Sequence, residues 1–360
     1  MKNVLIFLIV ISCTVIPAIA FAHEHAIEMQ AKIKSIQQDM RKDLSEGRTE
    51  KARNALEKAS GNFHAIEIEL GLIQTLMQAG EYRHALSAAA HTQAEHPDEI
   101  DSTLLYAWLM AIGGQTNPTT QLIEATLARH PEDAALTLML TQIKARQLIS
   151  AEIKTSDAIQ LKPFTSARIP NAKVRKHLTT GILINDEKHV ITSLTTVEDT
   201  KILQVRNGLG REVNAHIEQI FPTANIAVLK LDKPLKTATK VILADKTPFP
   251  GSPIYIIGFT PATGDAADWP QLKVDILGTA PSATSGYPIH VKKAATGSGV
   301  FNQQGHLIGI VDSDNNKIML PLDPLTDYKK SSKAPTASGK LAMDEIYENA
   351  LSNAVQVLGK

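Results

Sequence analysis

His23, Glu24 and His25 put two imidazoles and a carboxylate side by side. Cleavage just before His23 would add a free α-amine, making a donor set suited to Cu(II) or Zn(II). His23 and His25 are therefore the chain's candidate metal ligands, and no other cofactor is expected. The remaining imidazoles of chemical interest are scattered: His177, His189, His216, His290 and His306 have no cysteine, aspartate or glutamate at metal-ligand spacing. His189 opens a strand-like run and His306 follows Gly305 in a turn, positions where a solvent-facing ring is the ordinary expectation. The one cysteine, Cys13, lies in an apolar leader, so the mature protein is expected to have neither a disulfide nor a thiol nucleophile.

That leader is Lys2, an apolar run from Val4 to Ile16, Pro17, and the small pair Ala20 and Ala22. It reads as a signal peptide over residues 1–22, cut after Ala22, and implies export to a periplasm or beyond. Two alternatives stand beside it: Val10-Ile11-Ser12-Cys13 resembles a lipoprotein signal, and residues 4–22 are nearly long enough for an anchor. After cleavage no membrane span is expected. With 360 residues, two domains are expected behind the leader, and 37 basic against 37 acidic residues argue against a nucleic-acid partner.

The first half repeats. Ala94-Glu95-His96-Pro97-Asp98-Glu99 returns as Ala128-Arg129-His130-Pro131-Glu132-Asp133, with the prolines 34 residues apart. Leu72, Gly80, Tyr82, Ala85 and Ala89 precede Pro97, and Tyr106, Ala107, Gly114 and Ile123 precede Pro131. A looser unit has Gly47, Ala52, Ala55, Leu56 and Ala59 behind a first helix over 33–43, and a helix over 132–146 caps the stack. These positions resemble tetratricopeptide repeats, which implies a helical solenoid over 28–148 with a groove for an extended peptide or partner helix. The alternative is that the hairpins only pack on the rest of the chain or pair two copies.

Residues 149–177, with Pro163 and Pro170, read as a linker. Short β-branched runs follow at 178–185, 189–193, 201–206, 212–221 and 226–232, then at 240–244, 253–258, 272–278, 289–292, 300–301 and 307–312. So many strands without a long helix between them imply an all-β barrel pair or sandwich.

Five of these segments resemble, in order, the trypsin-like serine proteases of the HtrA type. They are Thr180-Gly181-Ile182-Leu183-Ile184; His189-Val190-Ile191-Thr192; Asn225-Ile226-Ala227-Val228-Leu229-Lys230-Leu231; Gly251-Ser252-Pro253 running to Ile257-Gly258; and Gly297-Ser298-Gly299-Val300-Phe301-Asn302 with Gly305 and Leu307-Ile308-Gly309-Ile310. The resemblance implies a double β-barrel over 178–325, and it places Thr195 at the catalytic histidine, Asn225 at the aspartate and Thr296 at the nucleophile. Ala294 stands at a glycine of the oxyanion hole, and Ser298 is a packing residue. Acyl transfer on this fold needs a hydroxyl, an imidazole to take its proton and a carboxylate to orient the ring. No catalytic residue is therefore expected. The losses are mutually consistent, because a buried carboxylate without its imidazolium partner is costly and asparagine removes that cost. By the same resemblance, Gly309, Ile310, Val311, Asp312 and Ser313 form the edge that would receive a peptide by β-addition, with the Val311 N–H as a donor.

Residues 326–340 read as a flexible basic linker. Residues 341–358 carry Leu341, Ile346, Ala350, Leu351, Ala354, Val355 and Leu358 at near-helical spacing and read as a last helix. The expected fold is multidomain α + β: a helical solenoid, an all-β trypsin-like double barrel and a C-terminal helix. The expected role is a catalytically inactive protein that binds a protein or peptide as adaptor, scaffold or chaperone-like factor. The alternatives are an active serine- or threonine-type endopeptidase with displaced partners, and a barrel that is inert while the solenoid carries the function.

Overall fold

The computed structural model describes residues 25–145, 155–164, 176–184, 187–237, 239–259, 267–280, 286–290, 295–312, 318–331 and 339–359. The leader with Cys13, together with His23, Ala294 and Ser313, lies outside these residues.

The chain begins as seven stacked helices: α1 over 25–45, α2 (Thr49–Ser60), α3 (Ile66–Ala79), α4 (Tyr82–Glu95), α5 (Ile100–Ile112), α6 (Thr116–Leu127) and α7 (Ala134–Lys144). Gly47, Gly80 and Gly114, all left-handed, end α1, α3 and α5, and each stop is closed by a bond back to the preceding helix, from Arg48 N to Asp43 O, Glu81 N to Leu76 O and Gln115 N to Met110 O. Pro97 and Pro131 fall in the turns between hairpins, and the Asp133 carboxylate caps α7 by accepting Leu136 N at 2.8 Å. The inner helices α3 and α5 are apolar on most sides and almost wholly buried. Buried Tyr82 donates to Leu109 O at 3.0 Å, and at Gly113 a side chain would collide with its hydroxyl. No helix among the described residues is long and apolar enough to cross a membrane.

Strands β1 (Lys176–Leu183), β2 (His189–Ser193), β3 (Leu203–Asn207), β4 (Glu212–Phe221) and β5 (Ile226–Leu231) belong to a closed barrel. Its sixth strand is β12 (Ala354–Gly359), in the order β1-β12-β3-β4-β5-β2. The last expected helix is thus corrected: α9 covers only Met343–Leu351, and the following residues insert between β1 and β3, pairing Lys176 with Gly359 and Val355 with Asn207. All six residues of β12 are buried. A strand covered on both faces shows no alternation, so its apolar run reads equally well as helix.

The second sheet has the order β7-β6-β9-β10-β11-β8, from β6 (Pro253–Gly258), β7 (Gln271–Ile276), β8 (Tyr287–Pro288), β9 (Gly299–Phe301), β10 (Leu307–Asp312) and β11 (Ile318–Pro321). Among the described residues it forms a half-barrel beside the closed barrel, which gives the two β-modules expected. Its margins meet through Gly278 N on Pro288 O at 3.0 Å and through the Asp275 carboxylate, which both the main-chain N–H and the ring of His290 approach. Residues 240–244 contribute a single parallel bridge, Leu243 with Leu307, rather than a strand. Within the stretch expected as a flexible linker, Thr326–Ser331 is a short helix, α8.

Helices and sheets share one apolar core. Leu70, Ile73, Met77, Trp108 and Ile112 pack with Leu209, Trp269, Leu272 and Tyr347. The rings of Tyr82 and Tyr347 meet edge-on at 4.6 Å, and those of Trp108 and Trp269 at 6.4 Å. Residues 155–164, within the expected linker, lie against the helices with Ile159, Leu161 and Phe164 buried.

Candidate functional site

The candidate site forms where the barrel meets the open sheet. The threonines of β1 join the two. Thr180 N donates to Thr296 O at 3.1 Å, Thr179 Oγ1 donates to the same oxygen at 2.6 Å, and Thr180 Oγ1 accepts Phe259 N at 3.0 Å. Thr296 is buried and is followed by Gly297 at φ +80°, where a Cβ would fall 1.9 Å from Thr180 O. Only glycine fits this approach. Gly297 N then donates to Val311 O at 2.7 Å and Val311 N to Ser298 O at 2.9 Å, fixing Thr296 next to the end of β10.

β2 ends at Ser193, and the chain turns through Thr195, held by Thr196 Oγ1 on Ser193 O at 2.8 Å. Asn225 follows the 3-10 turn Pro222–Ala224 in the left-handed region at φ +50°, a conformation asparagine adopts more readily than most residues. Its Oδ1 accepts Thr195 N at 3.0 Å, and its Nδ2 donates to Thr195 Oγ1 at 3.3 Å and to Asp312 Oδ2 at 3.0 Å. Its main-chain oxygen accepts Leu194 N at 3.1 Å. Ser193 Oγ lies 3.2 Å from Thr195 Oγ1. Thr195 and Asn225 thus lie side by side, and Thr296 lies one residue from the Gly297 to Val311 bond that borders Asp312.

Asp312 was expected to face a peptide. Instead its buried carboxylate turns to the Asn225 amide, so the cluster does hold a carboxylate, supplied by β10. The sequence signal for it is a lone acidic residue ending the apolar run Leu307 to Val311. The peptide-receiving edge is corrected over 309–312. β10 is paired on both sides, Gly309 with Val300 and Pro321, Ile310 with Gly299 and Leu320, and Val311 with Met319. Both main-chain groups of Val311 are used within the sheet, so the N–H taken as a donor to peptide is occupied. Ser298 packs against the main chain of Gly258, in keeping with a packing role.

The histidines go elsewhere. His177 Nε2 lies 2.9 Å from Thr179 O, an acceptor only, so that nitrogen carries the proton. His189 is mostly buried rather than solvent-facing: it pairs with Glu218 at 2.7 Å and meets the Tyr328 ring edge-on. Lys230 and His189 together hold the Glu218 carboxyl below its usual range despite burial. His216 and His290 are exposed beside Asp232 and Asp275. His306 is partly covered, and burial lowers its pKa against the pull of Asp245. His25 is exposed at the start of α1. Among the described residues, no group of three or more His, Cys, Asp or Glu could hold a metal ion.

The two β-modules thus meet at a largely buried polar cluster. The family model of the trypsin-like peptidase domain matches residues 179–310, the part of the chain that is similar to that family. Among solved structures, the apo protease domain of MamO from Magnetospirillum magneticum is similar at 20% identity, with 43% of this chain and 89% of that chain covered and a TM-score of 0.33. No curated protein matches the chain.

Proposed function

We propose that this is an exported, non-cleaving protein of trypsin-like fold that holds an unfolded or extended protein segment, acting as adaptor, scaffold or chaperone-like factor. The Asn225 amide carries the reading. It joins Asp312 to Thr195, which by resemblance stands where acyl transfer would need an imidazole, so a hydroxyl and a neutral amide occupy the places of the base and its carboxylate. A threonine hydroxyl stays protonated near neutral pH unless a positioned base takes its proton, and loss of a triad costs about a million-fold in turnover. An extended segment would add along the margin of the open sheet at β7, where Val274 and Ile276 are 48% and 57% exposed. The apolar leader supports export.

A second reading, an endopeptidase using Thr296 or Ser298, draws on Asp312, since a buried carboxylate remains in the cluster and could orient a base. Incubation of residues 23–360 with labelled unfolded casein, beside a Thr296→Ala form, separates the two. The expected outcome is intact casein with both forms and a saturable rise in casein anisotropy. Cleavage that vanishes in Thr296→Ala would overturn the non-cleaving reading, and absence of both cleavage and binding would overturn the holding role.

A further inference from the structure

A groove of about 630 Å³ lies where three elements meet: the turn from α5 into α6, strand β7 and the start of α9. Its walls are Gly114 to Pro118, Val274, Met343 and Asp344, none of which belongs to the cluster of Thr195, Asn225 and Thr296. Gly114 closes the floor. It is left-handed at φ +84°, and a Cβ there would fall 2.6 Å from Leu272 Cδ2 and 3.2 Å from Leu272 O, so the turn is pressed against β7. The walls are fixed by their own bonds. Gln115 N donates to Met110 O at 2.9 Å, Tyr347 OH donates to Pro270 O at 2.6 Å just ahead of β7, and Arg83 pairs with Glu348 to hold α9 on α4.

The lining has two characters. Val274, Met343 and Pro118 are apolar, whereas Asp344 is the one charged residue among the described walls. Asp344 Oδ1 accepts Glu345 N at 3.0 Å, and a carboxylate has about four acceptor sites, so capacity for a cation remains. The first turn of α6 also borders the groove, but a helix N-terminus carries only about half a positive charge, which leaves the groove negative. An acidic side chain would meet like charge here, and an apolar one would cover the carboxylate without pairing it. Lysine and arginine match both characters, with the methylene stem on Val274 and Met343 and the head at Asp344. Ile276, on the same face of β7 two residues beyond Val274, is 57% exposed and suits an apolar neighbour. We propose that the groove takes a lysine or arginine side chain from the extended segment held along β7, with an apolar residue two positions away. The inference rests on the holding role proposed above and names the partner chemistry of that margin, since Val274 belongs to both.

The test uses residues 23–360 and fluorescein-labelled peptides Thr-Val-Thr-Xaa-Thr-Val-Thr with Lys, Leu or Glu at Xaa, read by anisotropy. The Lys peptide should bind about five-fold more tightly than the Glu peptide at low salt, with Leu between them, and the margin should vanish in about 1 M NaCl. Asp344→Asn should remove the preference and Asp344→Lys should reverse it. Equal binding of the Lys and Glu peptides, or a preference for Lys that survives both substitutions, would overturn the groove proposal while leaving the holding role in place. If no peptide binds, the groove proposal falls, and the casein measurement decides whether the holding role falls with it. Val274→Arg gives a check that leaves Asp344 untouched: its own tethered side chain should fill the groove and weaken the Lys peptide at least about five-fold. Unchanged binding by that variant would also overturn the proposal.

Discussion

Two polar clusters, one where the barrel meets the second sheet and one on α3, are organised by side-chain amides, but they differ in what those amides meet. At the barrel's end of the joint, Asn225 bridges one main-chain N–H and two side chains, Thr195 and Asp312. On the helical stack, Gln74 and Gln78 bind main chain between elements, apart from a Gln74 bond to Leu70 O within α3. An amide carries no charge at any working pH, so it fixes geometry without taking part in proton transfer. The barrel cluster uses a neutral amide to join a hydroxyl and a carboxylate. The stack uses the same group to hold residues 155–164.

The largest break in this comparison is Gln78→Ala. It strips Phe164 N, Phe164 O and Leu209 O of their partner and is expected to lower stability by about 3 kcal/mol in urea titration. Asn225→Asp comes next, by placing a second carboxylate 3.0 Å from that of Asp312. The loss should be about 2 kcal/mol at pH 7. Like-charge repulsion raises a carboxyl pKa in the fold above its unfolded value, so the folded state binds more protons and the loss shrinks as pH falls towards 4. The exchanged pair, Asn225→Asp with Asp312→Asn, should recover most of the stability, and a double-mutant cycle would measure this.

The smallest effect is expected at Asp268, beside the joint between the two regions. Burial pushes its carboxyl up to about 6, against the Trp269 N–H and the charges of Lys162 and Arg206. The fold thus favours the neutral acid. The cost is absent below about pH 4 and complete above about pH 6. Asp268→Asn should therefore raise stability by about 1 kcal/mol at pH 8 and leave it unchanged at pH 4, as read by thermal unfolding at the two pH values.

Much of the architecture was legible because it rests on local signals. Gly47, Gly80 and Gly114 mark the stops of three helices, Pro97 and Pro131 mark the turns between hairpins, and the β-branched runs of β1 to β7 fall close to their observed limits. Thr195 and Asn225 were singled out by their places in the motifs of the resembled family, and the structure sets them side by side. What was hidden depends on burial from two sides or on contacts distant in sequence. β12 has no alternation because both its faces are covered. Residues 155–164 looked like a linker because Ile159, Leu161 and Phe164 fit neither a helical nor a strand period, although partners 84 to 86 residues away hold them. Asp312 gives no hint of Asn225, which lies 87 residues earlier. The edge expected at 309–312 failed because β11, a four-residue strand, covers it.

The position of β12 bears on the order in which the molecule assembles. Lys176 pairs with Gly359, and the whole open sheet lies between them in the chain. Until residues 354–359 have emerged and docked, β1 and β3 face a gap with unpaired main chain on both sides. The helices, whose contacts join near neighbours, can consolidate early and quickly, whereas the barrel must wait for its most distant partner. A chain emerging N-terminus first therefore passes through a stage with a finished helical stack and an open barrel, the stage at which it is most exposed to proteolysis and mispairing.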